Sequence, residues 1–428
     1  MNNFKYLPIT TLLTIPTLFF ITSCENVTSK GGGIPNETSI NLDDTFVYNK
    51  ESKYKDILKR CTSFNTSCSL NTLPLIREQG KITKDVIRSR LVVSHKWMGD
   101  RFMQMLDTLE PDMLQMLGAV TAIVIDDDII PSFYTTNTGA IYIDPRYLWL
   151  SIEEAKDITK KDDFRSEYGN KLKFTPAWRY VKNNKPAIKY TSLSNPKARS
   201  TEDIKYALAA LLYHELSHAN DFANRDVIAN SNRDAPIVEA LESNKEQRVS
   251  TKLYNTMPLT QNTLKRLAGV LYFNKSASSQ DRELEPYSIG MLFETDSATN
   301  MYNFANQYED LAMLFESAMM KYHYNIEMDI GFTSNPSNPT DCNDFILGWG
   351  SRNQIAKDDV KARANFVLNH ILPNSANWDN FTQNNIGSTS ALPTNIGWCE
   401  SINSNSATKR KIYTNTPIPI NNFLPIGY

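Results

Sequence analysis

The stretch HELSHAND, residues 214–221, lies inside the strongest helical segment of the chain. Ser200 is a typical N-cap residue, two acidic residues follow it in the first turn, and the interior is rich in alanine and leucine. The sequence therefore predicts one long helix through this stretch. Because residues four apart share a helix face, we expect His214 and His218 to point at the same place.

Two imidazoles on one helix face can supply two of the three protein ligands of a catalytic zinc ion. Glu215 follows the first histidine and lies to one side of that face. From there it can take a proton from a zinc-activated water, whose pKa falls from about 15.7 towards 7. Asp221 lies seven residues after His214 and three after His218, so it can accept the second ring N–H of a ligand histidine.

Bulk composition sets the protein class. The 428 residues are 41% hydrophobic and 11% aromatic, which is ample for a large globular core. The formal net charge is −2, and no basic stripe with interleaved aromatics is present. We therefore expect no nucleic-acid partner.

The N-terminus predicts export. An apolar run broken by two prolines ends in Ile21-Thr22-Ser23-Cys24, which resembles the bacterial lipobox. This predicts a lipoprotein signal peptide at 1–23, acylation of Cys24, and a polar tether at 24–45. We expect a protein anchored by lipid to the bacterial cell envelope, at the outer membrane or at a periplasmic face. An ordinary cleaved signal and a single anchor helix are the alternatives.

The remaining cysteines are even in number, as expected for disulfides in an exported chain. Sequence proximity favours Cys61 with Cys68, which leaves Cys342 with Cys399. The other two pairings stay open. No C-x-x-C is present, which disfavours a structural zinc site built on thiolates.

Periodicity divides the rest of the chain. We expect a mainly helical region at 46–118, a domain at 119–373 and an irregular segment at 374–428. Within the domain, TAIVIDDDII and TGAIYIDP are expected to be strands of a small mixed sheet. The long motif helix and a helical C-terminal half follow. This order predicts an α+β fold.

The motif and a second stretch together resemble a known family. The chain looks like the zincin metallopeptidases, and MYNFANQYEDLAMLFESAMM, residues 301–320, resembles the second helix of the gluzincins of lethal-factor type. The resemblance implies that the domain at 119–373 is a zincin-like catalytic domain. It also implies that Glu309, in EDLA, is the third zinc ligand and that Tyr302, seven residues earlier, stabilises the oxyanion.

The third ligand has rivals. The family often has a second glutamate four residues beyond the ligand, and Met313 stands there in this chain. Glu239 and Glu242 lie nearer the spacing of the thermolysin type, in which an aspartate usually follows the ligand by one turn. Ser243 occupies that place after Glu239. The sequence therefore favours Glu309 and leaves the other two glutamates open.

The resemblance implies a zinc-dependent metallopeptidase that hydrolyses peptide bonds with Glu215 as general base. In zincins an edge strand above the motif helix pairs with an extended peptide substrate, and Gly139–Pro145 is the expected strand. One alternative is a surface-binding lipoprotein that keeps the fold but is catalytically inactive. A metal-dependent hydrolase of non-peptide amides is another.

Overall fold

The computed structural model describes residues 40–373 and 375–403. The predicted signal peptide, Cys24 and most of the tether lie outside the described residues, as does the end of the C-terminal segment. Within the described part, the chain has a mixed α and β architecture with two small sheets. The predicted α+β class agrees with this architecture.

The first sheet is mixed and precedes the motif helix. Its five strands are β1 (Phe46–Val47), β2 (Leu91–Val93), β3 (Ile123–Ile125), β4 (Phe133–Thr135) and β5 (Ala140–Ile143). They lie in the order β1-β2-β3-β5-β4, with β2, β3 and β5 parallel and the two outer strands antiparallel. Every residue of β2, β3 and β5 is buried, as expected of strands that are covered on both faces.

The second sheet is antiparallel throughout. Its strands are β6 (Phe174–Lys182), β7 (Lys185–Pro186), β8 (Glu327–Ser334), β9 (Leu347–Arg352) and β10 (Ser390–Ala391), in the order β10-β9-β8-β6-β7. β8 and β9 come from the part of the chain that was expected to be helical, so that expectation was incomplete. β10 comes from the segment that was expected to be irregular.

Helices are the commonest regular elements among the described residues. They are α1 (Lys55–Cys61), α2 (Lys84–Arg88), α3 (Lys96–Met105), α4 (Pro111–Met116), α5 (Ile152–Lys156), α6 (Thr201–Phe222), α7 (Arg225–Ala229), α8 (Ile237–Glu242), α9 (Val249–Thr256), α10 (Asn262–Tyr272), α11 (Ser279–Arg282), α12 (Pro286–Glu294), α13 (Gln307–Tyr324), α14 (Asp358–Ile371) and α15 (Trp378–Asn380). A π-helix at Phe381–Asn385 follows the last of them. None of the described helices is both long and apolar enough to span a membrane.

The two longest helices carry clear start signals. The Ser200 side chain accepts the backbone N–H of Asp203 and forms the capping box that begins α6. Asn306 accepts two backbone N–H groups at the start of α13, and Asn325 ends that helix in the left-handed conformation at φ 50°. α6 and α13 pack against each other, so the faces that carry the motifs meet.

The core has two sides separated by the first sheet. Ile123, Ile125 and Ile141 face a large cluster that includes α6 and α13. Val124 and Tyr142 face the opposite way, into a smaller cluster that includes residues of α1 and α8. The alternation follows the period of two in a strand.

One expectation about the first sheet was wrong. The region 46–118, expected to be mainly helical, also supplies β1 and β2 to this sheet. The expected edge strand within Gly139–Pro145 is β5, which lies between β3 and β4 and is not at an edge. The edge strand on this side is β4, Phe133–Thr135, a three-residue strand after Pro131 that the sequence did not reveal.

Both expected cysteine pairs lie at disulfide distance. The Cα atoms of Cys61 and Cys68 are 5.5 Å apart, and those of Cys342 and Cys399 are 5.6 Å apart. The second pair connects the turn before β9 to the last described residues. The pairing by sequence proximity is the one in the structure.

Candidate metal centre

His214, His218 and Glu309 converge at the contact between α6 and α13. One ligand atom from each residue lies within 4.8 Å of the others. The Nε2 atoms of His214 and His218 are 3.0 Å and 3.4 Å from the same oxygen, Oε2 of Glu309. The side chain of Glu309 is 14% exposed, so the cluster lies in a nearly closed site.

The pKa values of His214 and Glu309 in this cluster are shifted in opposite directions. Burial acts to lower the pKa of the His214 imidazole, but the carboxylates of Glu309 and Glu316 raise that pKa to about 10. Burial acts to raise the pKa of Glu309, yet the charges of His218 and His214 hold it well below its usual range. The surroundings therefore favour a positive charge beside an ionised Glu309.

Glu316 is a functional candidate that the sequence prediction missed. It is fully buried, and its Oε2 lies 3.0 Å from Nδ1 of His214. Its other oxygen accepts a hydrogen bond from the hydroxyl of Tyr180 on β6. A carboxylate in this place fixes the orientation of a ligand histidine and leaves Nε2 for a metal. The available signal was its position two helical turns after Glu309, inside the apolar run LFESAMM.

Glu215 stands beside the cluster and next to the edge strand. It is 4% exposed, and burial raises the pKa of its carboxyl to about 7, while a hydrogen bond from the backbone of Tyr134 acts in the opposite direction. Tyr134 is the middle residue of β4. The edge strand and the proposed general base are therefore in direct contact.

Tyr302 contacts both His214 and Glu309 of the cluster. It belongs to a short 3₁₀ helix, Met301–Phe304, that precedes α13. Its ring stacks with that of His214 at a centroid distance of 6.2 Å, and its phenol interacts with the carboxylate of Glu309. Tyr308 instead packs on Phe222 and accepts a hydrogen bond from Arg248.

Asp221 has partners of its own. Its carboxylate accepts hydrogen bonds from the backbone N–H of Ser250, at 3.0 Å, and from the Ser250 hydroxyl. The aspartate thus ties the end of α6 to α9. The carboxylate that contacts the second ring nitrogen of His214, Nδ1, is that of Glu316.

The two alternative third ligands lie outside the cluster. Glu239 is exposed on α8, and Glu242 forms an ion pair with Arg248 at 2.9 Å. Of the candidate third ligands, only Glu309 belongs to the cluster formed with the two histidines.

The donor set fits zinc. Two imidazole nitrogens and one carboxylate oxygen are the ligands of a known class of catalytic zinc site, which keeps a fourth position for water or substrate. The hydrogen bond between Nδ1 of His214 and Glu316 is the type of outer contact that metal-binding histidines make.

Comparison with known proteins adds no assignment. No family model, no curated protein and no solved structure matches this chain.

Proposed function

We propose that the protein is a zinc-dependent metallopeptidase. The observation that carries the proposal is the convergence of His214, His218 and Glu309, with Glu215 buried beside them. When bound, zinc would supply the Lewis acidity that activates a water for attack on a peptide carbonyl. The protein's own groups would hold the ion, move the proton and orient the substrate.

Glu215 has the position and the environment of a general base. A carboxyl with a pKa near 7 both accepts a proton and returns it efficiently near neutral pH. In this proposal it takes the proton of the attacking water and passes it to the leaving amine. The hydrogen bond from the Tyr134 backbone holds the carboxylate in place.

Tyr302 and the edge strand complete the proposed reaction site. The Tyr302 phenol, close to Glu309, would donate to the oxygen of the attacked carbonyl as negative charge develops there. β4 is the strand at this edge of the sheet and touches the base through Tyr134. An extended peptide that adds to this edge would place its backbone beside Glu215.

The intact base argues against the catalytically inactive alternative. A surface-binding lipoprotein that only kept the fold would have no chemical need for a buried Glu215 between two ligand histidines. Burial of this carboxyl is unfavourable, as its raised pKa indicates. A role in proton transfer explains why the position is acidic.

We also propose that the peptidase is exported and anchored by lipid at Cys24. The lipobox-like tetrad and the polar tether after it support this location. Two disulfides in the described part fit a chain that folds in an oxidising compartment. The proposed substrates are then peptides or proteins of the cell envelope or its surroundings.

The metal content of three proteins tests the proposal. Wild type should hold about one zinc per chain, Glu309→Ala should lose it, and Glu239→Ala should keep it. The two variants remove the same chemical group, and only the first belongs to the cluster. Inductively coupled plasma mass spectrometry gives the stoichiometry. Full zinc in Glu309→Ala with loss in Glu239→Ala would exclude the proposed ligand set.

A further inference from the structure

Two buried hydrogen-bond donors near the candidate metal centre have no partner. Within the described residues, Nη1 of Arg165 and the hydroxyl of Tyr272 are buried and make no hydrogen bond. Arg165 is 6% exposed and Tyr272 4% exposed. Unpaired buried donors are uncommon and unfavourable, so two of them in one region call for a physical explanation.

Tyr272 contacts the ring of Tyr302, the proposed oxyanion donor. It is the last residue of α10, and its ring meets that of Tyr302 edge to face at a centroid distance of 4.7 Å. Tyr302 in turn stacks on His214. The unpaired phenol therefore lies in the layer of side chains next to the cluster.

The segment that carries Arg165 packs on the end of the helix that carries Tyr272. This segment, between α5 and β6, has no helix or strand and rests on the end of α10, since a Cβ at Gly169 would meet the Leu271 side chain at 2.7 Å. Burial raises the pKa of the Tyr272 and Tyr302 phenols, and the Arg165 charge opposes this at both. The guanidinium is thus near both rings.

The Arg165 guanidinium is held by one edge only. Asp163 accepts from Nε at 3.0 Å and from Nη2 at 2.6 Å. This pair fixes the plane of the guanidinium and leaves Nη1 as a donor. With the hydroxyl of Tyr272, the protein presents two donors here that have no partner among the described residues.

We propose that Arg165 and Tyr272 form a subsite that binds the carboxylate of an acidic substrate residue next to the cleaved bond. The inference rests on the proposed peptidase function and names the substrate class. A guanidinium is the group best suited to a carboxylate, because the hydrogen bond is charge-assisted, and the phenol adds a second donor. A basic substrate residue would meet the like charge of Arg165.

Arg165 and Tyr272 are nearly buried, so a substrate carboxylate reaches their unpaired donors only when the side chains around them shift. The incoming carboxylate would then satisfy both donors.

Binding to an inactive protein tests the subsite without requiring hydrolysis. Cleavage sites of wild type would first be mapped on a peptide mixture, and one site would then be made as two peptides that differ only in Glu or Gln beside the cleaved bond. Where wild type cleaves nothing, extended peptides with a central Glu or Gln serve instead. Calorimetry on the zinc-loaded Glu215→Gln protein gives the two affinities. We expect the Glu peptide to bind on the order of 10-fold more tightly.

Variants in the same background assign the preference. Adding Tyr272→Phe or Arg165→Gln should reduce the ratio of the affinities for the Glu and Gln peptides to below about 3-fold. Tyr324→Phe, another buried tyrosine, at the far end of α13, should leave it unchanged. If Arg165→Gln fails to fold, Tyr272→Phe decides alone, because it removes one oxygen and keeps the ring packing.

The outcomes separate the two proposals. Equal or undetectable binding of both peptides overturns the subsite, even if wild type hydrolyses peptides. An unchanged preference in Tyr272→Phe also overturns it. A Glu preference that depends on these donors, in a protein that hydrolyses no peptide, supports the subsite and contradicts the peptidase.

Discussion

Glu309 and Glu316 lie seven residues apart on α13 and contact the two ring nitrogens of the same imidazole. Oε2 of Glu309 is 3.0 Å from Nε2 of His214, and Oε2 of Glu316 is 3.0 Å from Nδ1. Seven residues are about two helical turns, so both carboxylates project from one face. One helix thus supplies a candidate ligand and fixes the orientation of another.

This relationship predicts a specific loss in Glu316→Ala. With no acceptor for Nδ1, the ring of His214 is free to turn and becomes less basic, so zinc affinity should fall about 10-fold to 100-fold. Glu316→Gln keeps an acceptor oxygen and should lose less. Competition with a chromophoric chelator measures the affinity.

The matched control for this series is Glu283→Ala, whose side chain is 73% exposed and paired with a surface lysine. Its zinc affinity should equal that of wild type. Wild-type affinity in Glu316→Ala would show that the contact with His214 does not support metal binding.

Tyr302→Phe should reduce kcat on the order of 10²-fold with zinc content unchanged, because one donor to the developing oxyanion is lost. Tyr308→Phe is the control, since its hydroxyl contacts Arg248 and its ring packs on Phe222. Steady-state kinetics on one peptide substrate compares them. A larger kcat loss in Tyr308→Phe would remove Tyr302 from the proposed role.

Local sequence signals were sufficient for the motif helices. The Ser200 cap, the i, i+4 histidines and the Glu309 segment depend on residues close in the chain, and the structure has α6 and α13 where the pattern predicted them. Glu316 was harder to recognise, because its partner His214 lies 102 residues away. Helical spacing predicts the face of α13 on which Glu316 lies, but it does not predict the contact with His214.

The missed strands were also set by distant partners. Leu91–Val93 is three residues long in a helical pattern, and it becomes a strand by pairing with β3, a stretch about thirty residues later. Phe133–Thr135 is as short and pairs only with β5 among the described strands. Whether so short a segment forms a strand depends on the strands that it pairs with, and local sequence signals do not identify those partners.

The two disulfides should contribute unequally to stability. Cys61 and Cys68 are 7 residues apart, and Cys342 and Cys399 are 57 apart. In the chain-entropy model, the longer loop contributes about 4 kcal/mol and the shorter about 2.5 kcal/mol to the free energy of unfolding. Urea unfolding of the two double Cys→Ser proteins checks this. A larger loss from the Cys61/Cys68 variant would contradict the ranking.

Cys24→Ser should release the protein from membranes. The lipobox-like tetrad predicts that the Cys24 thiol is acylated and holds the protein at the membrane. Membrane fractionation and the mass of the N-terminal peptide compare wild type with the variant. Cys61→Ser, which leaves the tetrad intact, should remain membrane-bound. A mature N-terminus at another residue would contradict the lipoprotein assignment.

The central claim is that Glu215 activates a water for peptide hydrolysis at a centre formed by His214, His218 and Glu309. The most direct measurement is the rate of peptide hydrolysis by wild type and by Glu215→Gln at equal zinc content. We predict that wild type cleaves peptides and that Glu215→Gln, with about one zinc bound, loses at least on the order of 10²-fold in kcat, since the amide cannot accept the proton. Equal rates in the two proteins, or no cleavage by zinc-loaded wild type, would contradict the claim.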